Sequence, residues 1–367
     1  MLKICLVVNE IKYGGVEKVI ENYCADFNCE EYDFTIITPN TSSKKHMQYF
    51  RDCGFEVEEI PHKKDDLIGN ICCLYRSIKR GNFDVIHSHM SYANFYVLLI
   101  GKLLGVRVRI NHYHNVFNVK GLKSWGIIFC NKLCDYFSTL NIFCSDAVKE
   151  YFGKTLHKSL VLYNIVKLDE FQFNENYRER IRERYNISKS DVVIGNIGRF
   201  TKQKNQIFIL EIFLKMQEKN NNLKLMLCGD GEDRNIIEKF IGENELSENV
   251  ILVGNTSEVY KMYSAMDVFL FPSIFEGLGL TFLEAQLNGL PCVGSDILPK
   301  EVIVSENVKL LNLQENKKVW CNTISDLMRN RENNIIASKI NRYNYNEHHF
   351  DMLNIYKDVL EKEGEAN

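Results

Sequence analysis

Short apolar runs alternate with longer amphipathic ones along the first half of the chain. KICLVV, FTIIT, FEVEEI, DVIH, VRVRINH, STLNIF and SLVLYN have the length and β-branched content of buried strands. Between them, Val16–Phe27, Leu67–Lys79, Tyr92–Leu104 and Leu122–Tyr136 carry helical spacing. Strand and helix in alternation predict a parallel sheet covered on both faces. The pattern loosens between Asn164 and Ser190, where YRERIRERYNISKSD is charged and helical, and this stretch reads as a connection. Alternation then restarts with DVVIGNIG, LKLMLCG, VILVG, DVFLFPS and LPCVGSD. The last segment, Asn346–Lys362, reads as a helix. The expected architecture is α/β: two Rossmann-like, doubly wound, parallel-sheet domains over residues 1–165 and 166–345, with a terminal helix over 346–367. In such a pair the carboxyl ends of both sheets would face a common cleft, and ligands of open α/β sheets bind there.

Composition narrows the function classes. The 367 residues are 45% hydrophobic and 25% charged, enough for sizeable cores, and the formal net charge of -3 argues against a nucleic-acid partner. The start, MLKICLVVNE, lacks the form of an export signal, so a cytoplasmic location and reduced thiols are expected. None of the twelve cysteines forms a CxxC unit; Cys72 and Cys73 are adjacent and Cys130 and Cys134 are four apart. They read as small buried hydrophobes rather than zinc ligands.

The densest chemical signal is PSIFEGLGLTFLEAQLNGLPCVGSD. Gly277 and Gly279 lie between Glu276 and Glu284, between an expected strand and a helix starting near Leu280. Glycines let backbone approach an anion, and free N–H groups at a helix start favour negative charge. Glu284 stands one turn into that helix, where a carboxylate can accept from paired hydroxyls such as those of a ribose. In IGNIGRFTKQKNQ, Arg199 and Lys204 flank a loop after a strand. Two cations there suit a diphosphate that gains charge as its bond to carbon breaks, and both are expected to be exposed until it binds. In NEIKYGGVEK, Gly14 and Gly15 open the first helix. Neither Gly14-Gly15 nor Gly229-Asp230-Gly231 completes a dinucleotide fingerprint.

These segments resemble the retaining family-4 glycosyltransferases of GT-B fold over nearly the whole chain, and RINHYHN and SDILPKE are similar to enzymes that build bacterial capsular, exo- or O-antigen polysaccharides. The resemblance implies roles. Arg199 and Lys204 would bind the donor diphosphate, Glu284 its ribose and Glu276 the transferred sugar. The backbone of Gly277, Leu278, Gly279 and Leu280 would complete the phosphate site. Gly15 would meet donor or acceptor from the N-terminal domain. His112 would touch the donor sugar near the reacting carbon, with Gly14, His87, His89 and His114 as lesser candidates for acceptor or sugar contact. The terminal helix would cross back to the first domain. The implied donor is a nucleotide sugar, UDP-linked in preference to GDP-linked, with no further cofactor and no metal. The implied acceptor is a polyprenyl-diphosphate-linked glycan.

Three rival readings remain at this stage. A nucleotide-sugar epimerase would share the donor contacts but need acids and bases at the sugar ring. A metal-dependent hydrolase could use His87-Ser88-His89 and His112-Tyr113-His114, each of which puts two imidazoles on one side of an extended segment. No carboxylate accompanies either pair. A non-catalytic sensor would not need the full set of Arg199, Lys204, Glu276 and Glu284. Glu301 is a further candidate of lesser weight. Finally, Val85 to Cys134 contains no Asp or Glu but carries Lys102, Arg107, Arg109, Lys120, Lys123 and Lys132 among Phe117, Trp125 and Phe129. That mixture suits an anionic lipid surface, which places a peripheral membrane contact around Val119–Cys130.

Overall fold

The computed structural model describes residues 1–11, 14–24, 27–116, 121–328 and 336–365. It divides into two compact units, Met1–Ile165 with Tyr345–Asn367, and Val166–Asn344. The first holds strands β1 (Leu2–Val8), β2 (Tyr32–Pro39), β3 (Glu56–Ile60), β4 (Val85–His89), β5 (Val108–Tyr113), β6 (Leu140–Phe143) and β7 (Lys158–Val161). They form one parallel sheet in the order β3-β2-β1-β4-β5-β6-β7. The second holds β8 (Val192–Ile197), β9 (Leu223–Cys228), β10 (Val250–Gly254), β11 (Val268–Phe271), β12 (Cys292–Ser295) and β13 (Val308–Leu311), in the order β10-β9-β8-β11-β12-β13. Winding reverses beside β1 in one sheet and beside β8 in the other, and the crevices past β1/β4 and β8/β11 are where such sheets bind ligands.

Both faces of the first sheet are covered. Ile4, Leu6, Val85, Val108 and Ile110 pack on one face of the first sheet, against Met352, Leu353 and Tyr356 of the helix Asp351–Glu365. Ile86, Val97 and Ile100 belong to the core on the other side. In the second unit Ile194, Leu225, Val268 and Val293 share a core with Leu210, Phe213 and Trp320. None of the twelve cysteines is in a disulfide, and six are buried. Burial pushes Cys5, Cys24, Cys134, Cys228 and Cys292 up, so these thiols stay protonated and inert.

Three expectations are corrected. The charged stretch read as a connection is the helix Glu175–Arg184, an integral part of the second unit. Its Arg178 and Arg182 meet the two oxygens of Asp267 at 2.7 and 2.6 Å. Asp267 also accepts from the Val193 backbone N–H at 2.7 Å, so an apparently solvated charge run anchors the start of β8. The terminal helix is two pieces, Tyr345–His348 and Asp351–Glu365, with His349 stacked on Tyr345 at the break. Strand β13 was not foreseen; it is a half-exposed edge strand of four residues with a lysine in it, too short for a periodic signal.

Candidate functional site

In the second unit the loop after β8 is tied to the loop after β11. The side chain of Gln203 donates to the Phe275 carbonyl at 2.9 Å, and Ile274 N–H donates to the Gln203 carbonyl at 2.8 Å. Asn205, at φ +60°, donates from Nδ2 to the Pro272 carbonyl at 3.2 Å and starts the helix Gln206–Gln217. Gln206 turns back and donates to the Arg199 carbonyl at 3.1 Å. Through these ties Lys204 is delivered to Glu276, Nζ to Oε1 at 2.6 Å, with its ammonium 4.6 Å from the Phe271 ring centroid. Both partners are largely buried, so the expectation that Lys204 stands exposed is corrected: an ion pair and an aromatic face hold it in place. Arg199 does stand half-exposed, 3.3 Å from the exposed Glu232. That counter-ion is weakly held and a diphosphate could displace it.

Gly279, at φ +89°, is the residue before the helix Leu280–Leu287, a backbone shape that asparagine or glycine alone adopts at low cost. Leu278 is buried, so its side chain belongs to the core rather than to a ligand contact. Glu284 is buried too, and its Oε2 accepts from Tyr263 O–H at 2.6 Å. Burial and the Glu284 carboxylate push the Tyr263 phenol well up, which keeps it a donor. Tyr263 had no signal in the sequence, since it lies on another helix, Val259–Ala265. Ser273 Oγ and Thr281 Oγ1, which flank the glycine loop, are buried without a hydrogen-bond partner. Gly229 and Gly231 also find a reason. A Cβ on either would collide with the backbone of Gly198 or Phe200, so these glycines let the loops after β8 and β9 pack backbone to backbone. Glu301 lies in a short 3₁₀ turn, Lys300–Val302, where its carbonyl accepts from Tyr343 O–H at 2.9 Å.

In the first unit Gly15 opens the helix Gly15–Cys24, with Gly14 just before it and open space around its Cα. The register pairs His87 with Ile110 and Ser88 with Asn111, which places His87, His89, His112 and His114 on one face. His87 Nε2 lies 3.0 Å from His112 Nδ1, and His89 Nδ1 lies 2.7 Å from His114 Nε2. His87 Nδ1 lies 2.7 Å from the hydroxyl of Tyr356, a further residue without sequence signal. Burial holds His87, His89 and His112 well below the ordinary histidine range, and desolvation pushes His114 down to about 3. All four are therefore neutral at physiological pH. The opposite face carries an amide ladder: Asn94 to Asn111 at 2.6 Å, Asn111 to Asn141 at 2.8 Å and Asn141 to Asp135 at 2.7 Å. It ties β5 to β6 beneath the histidines, and Ser88 of β4 joins it by donating to Asn94 Oδ1 at 2.6 Å.

A model described as Glycosyltransferase Family 4 matches residues 13–170, and one described as Glycosyl transferases group 1 matches residues 177–347. Among relatives, the putative glycosyltransferase EpsF of Bacillus subtilis is 26% identical, covering 87% of this chain and 86% of its own length. A UDP-Gal:alpha-D-GlcNAc-diphosphoundecaprenol alpha-1,3-galactosyltransferase of Escherichia coli is 27% identical, with 62% of each chain covered. The O-antigen biosynthesis glycosyltransferase WclY of Escherichia coli is 26% identical over 81% of this chain and 80% of its own. The crystal structure of Anabaena HepE in complex with UDP and glucose superposes with a TM-score of 0.79 at 15% identity, covering 97% of this chain and all of that one. The two parallel-sheet units are those of a GT-B glycosyltransferase. The chain belongs to the family-4, group-1 glycosyltransferases and is a sugar-transferring enzyme.

Proposed function

We propose that this enzyme transfers a hexose, with retention at the anomeric carbon, from a UDP-sugar to a hydroxyl of a polyprenyl-diphosphate-linked glycan in bacterial surface polysaccharide assembly. The Lys204–Glu276 pair beside Arg199 and the glycine-opened helix start carries this reading. Arg199, Lys204 and the N–H groups from Gly277 to Leu280 stabilise the departing diphosphate. Glu284, steadied by Tyr263, accepts from the ribose hydroxyls, and Glu276 from hydroxyls of the sugar. His112, kept neutral, is the first unit's candidate for the sugar contact; Gly15 is its backbone counterpart. No carboxylate is assigned as a covalent nucleophile. Attack comes from the face the diphosphate leaves, and a leaving phosphate oxygen takes the acceptor's proton. HepE was solved with UDP and glucose, and the named relatives act on a diphosphoundecaprenol-linked sugar or in O-antigen synthesis, which supports the donor and acceptor chosen.

A panel of nucleotide sugars tests the donor. A matching ligand at 100 times its dissociation constant adds about 2.7 kcal/mol of stability. A UDP-sugar is expected to raise the melting temperature most and to be turned over in the presence of EDTA. No Asp-x-Asp element is present to chelate a metal, and fixed cations occupy its role. Loss of transfer in EDTA with recovery in magnesium or manganese overturns this mechanism.

Among the described residues no helix is long and apolar enough to cross a membrane. The helix Leu122–Phe137 instead turns an apolar stripe outward: Trp125, Ile128, Phe129 and Tyr136, with Lys132 among them. Trp125 is 72% exposed and Phe129 62%. Leu103 is exposed nearby, and Lys102 lies 4.6 Å from the Tyr136 ring centroid. Part of the expected contact, Phe117 to Lys120, lies outside the described residues, as does the Lys123 side chain. The visible stripe moves the centre of the proposed contact to Trp125–Tyr136. Such a face enters the headgroup region while each nearby cation contributes about 1 kcal/mol on anionic lipid. Co-sedimentation with anionic vesicles is expected at low salt and to weaken at high salt, and to fall at least ~10-fold in Trp125→Ser/Phe129→Ser, the scale of losing two buried aromatic rings. Equal binding to neutral and anionic vesicles, or none, refutes the proposal.

A further inference from the structure

We propose that His87, His89 and His112 form a three-nitrogen site for one Zn²⁺ ion, oriented by Tyr356 and His114, whose occupation inhibits rather than assists transfer. One ring nitrogen of each of the three lies within 4.8 Å of the other two. The closest pair, His87 Nε2 and His112 Nδ1, is 3.0 Å apart. Two nitrogens bound to one tetrahedral zinc at about 2.0–2.1 Å sit roughly 3.3 Å from each other, so that pair is already near coordination distance. The third ligand nitrogen, within 4.8 Å of the others, closes by up to about 1.5 Å to reach that separation.

Two further observations point to an absent partner. His89 Nε2 is buried and bonds to nothing in the protein, whereas His112, ligating through the Nδ1 that faces His87, keeps its ring proton on the buried Nε2. An unsatisfied ring nitrogen is costly to bury, and a metal is one group that would satisfy it. The other nitrogens of two of the rings are already held. His87 Nδ1 meets the Tyr356 hydroxyl at 2.7 Å, and His89 Nδ1 meets His114 Nε2 at 2.7 Å. That is how an orienting partner directs the remaining nitrogen of a ligating histidine. His114 is partly exposed and marks the way in.

Donor chemistry selects the metal. The group contains three imidazoles and neither a carboxylate nor a thiolate. Magnesium and calcium want oxygen ligands, whereas imidazole suits zinc and its borderline neighbours. Coordination needs an unprotonated ring nitrogen from each histidine, so binding weakens as pH falls. Zinc in this position holds His112, which the proposed mechanism needs for the sugar. The inhibitory half rests on that reading; the binding half does not.

The test uses the full chain, stripped with chelator and desalted. Zinc chloride alone is titrated by calorimetry, and bound metal is counted after gel filtration. One equivalent is expected from the histidine site, and cobalt should give visible d–d bands without a thiolate charge-transfer band. His89→Gln and Tyr356→Phe should each weaken binding at least ~10-fold, the usual scale for a ligand or its orienting partner. Circular dichroism checks that both fold. If His89→Gln does not, Tyr356→Phe and the cobalt spectrum of the unaltered chain decide. Cys29→Ser/Cys72→Ser, which removes two exposed thiols, should leave the histidine site intact. No stoichiometric binding, binding indifferent to both histidine-site variants, or a thiolate band lost with the cysteines overturns the site. Zinc that binds at the histidines yet leaves transfer unchanged overturns the inhibition and the role of His112, and leaves the donor site untouched.

Discussion

Arg199→Ala and Lys204→Ala each lower turnover by about 10²-fold or more at saturating donor, the scale for removing one preorganised charge from a developing anion. Their effects on stability should differ. Arg199 pairs with Glu232 at a half-exposed surface, where ion pairs contribute about 0–1 kcal/mol, so its loss leaves thermal unfolding nearly unchanged. Lys204 shields the buried Glu276, and its removal strands a carboxylate at a cost on the order of 2 kcal/mol. Removing Glu276 as well, in Lys204→Ala/Glu276→Ala, should return part of that stability and none of the turnover. If both single variants keep near-normal turnover, the donor diphosphate binds elsewhere.

Asp267→Ala should be among the most damaging substitutions in the second unit, costing about 3–5 kcal/mol, because it leaves the buried Arg182 without its carboxylate. The same change leaves Arg178 only the carbonyls of Ser264 and Met266, and frees the Val193 N–H at the start of β8, the strand that carries Arg199 at its end. Urea unfolding followed by the second unit's signal measures the effect. A cost under about 1 kcal/mol would mean that the remaining bonds of Arg182, to the carbonyls of Ala265, Ser188 and Asp191, hold it alone.

Much of the fold was legible because buried parallel strands announce themselves as uninterrupted β-branched runs. KICLVV and DVVIGNIG could hardly be anything else. What stayed hidden depends on tertiary partners. The run YRERIRERY looks solvated until Asp267, far along the chain, is placed between two of its arginines. At the candidate site the charged and glycine residues stood out, since backbone approach and anion binding restrict residue choice. The groups that steady them did not. Tyr263 reaches Glu284 from a neighbouring helix, and Tyr356 reaches His87 across 269 positions. A tyrosine on an amphipathic helix looks the same whether its hydroxyl serves a site or merely solvent. The exposure of Lys204 was misjudged for the same reason, because its partner's burial is a property of packing.

The helix Asp351–Glu365 completes the core of the first unit, although the whole of Val166–Asn344 separates it from the rest of that unit. During synthesis at roughly 5–20 residues per second, the first sheet leaves the ribosome and waits on the order of ten seconds or more for its last layer. Through that interval Val85, Val108, Ile110 and His87 lack the cover of Met352, Leu353 and Tyr356. The second unit has all its strands contiguous in sequence and can close first. The order of assembly on the ribosome is thus inverted for this protein: the half made first is the half finished last. Its nascent chain presents a ready surface to chaperones until that helix emerges.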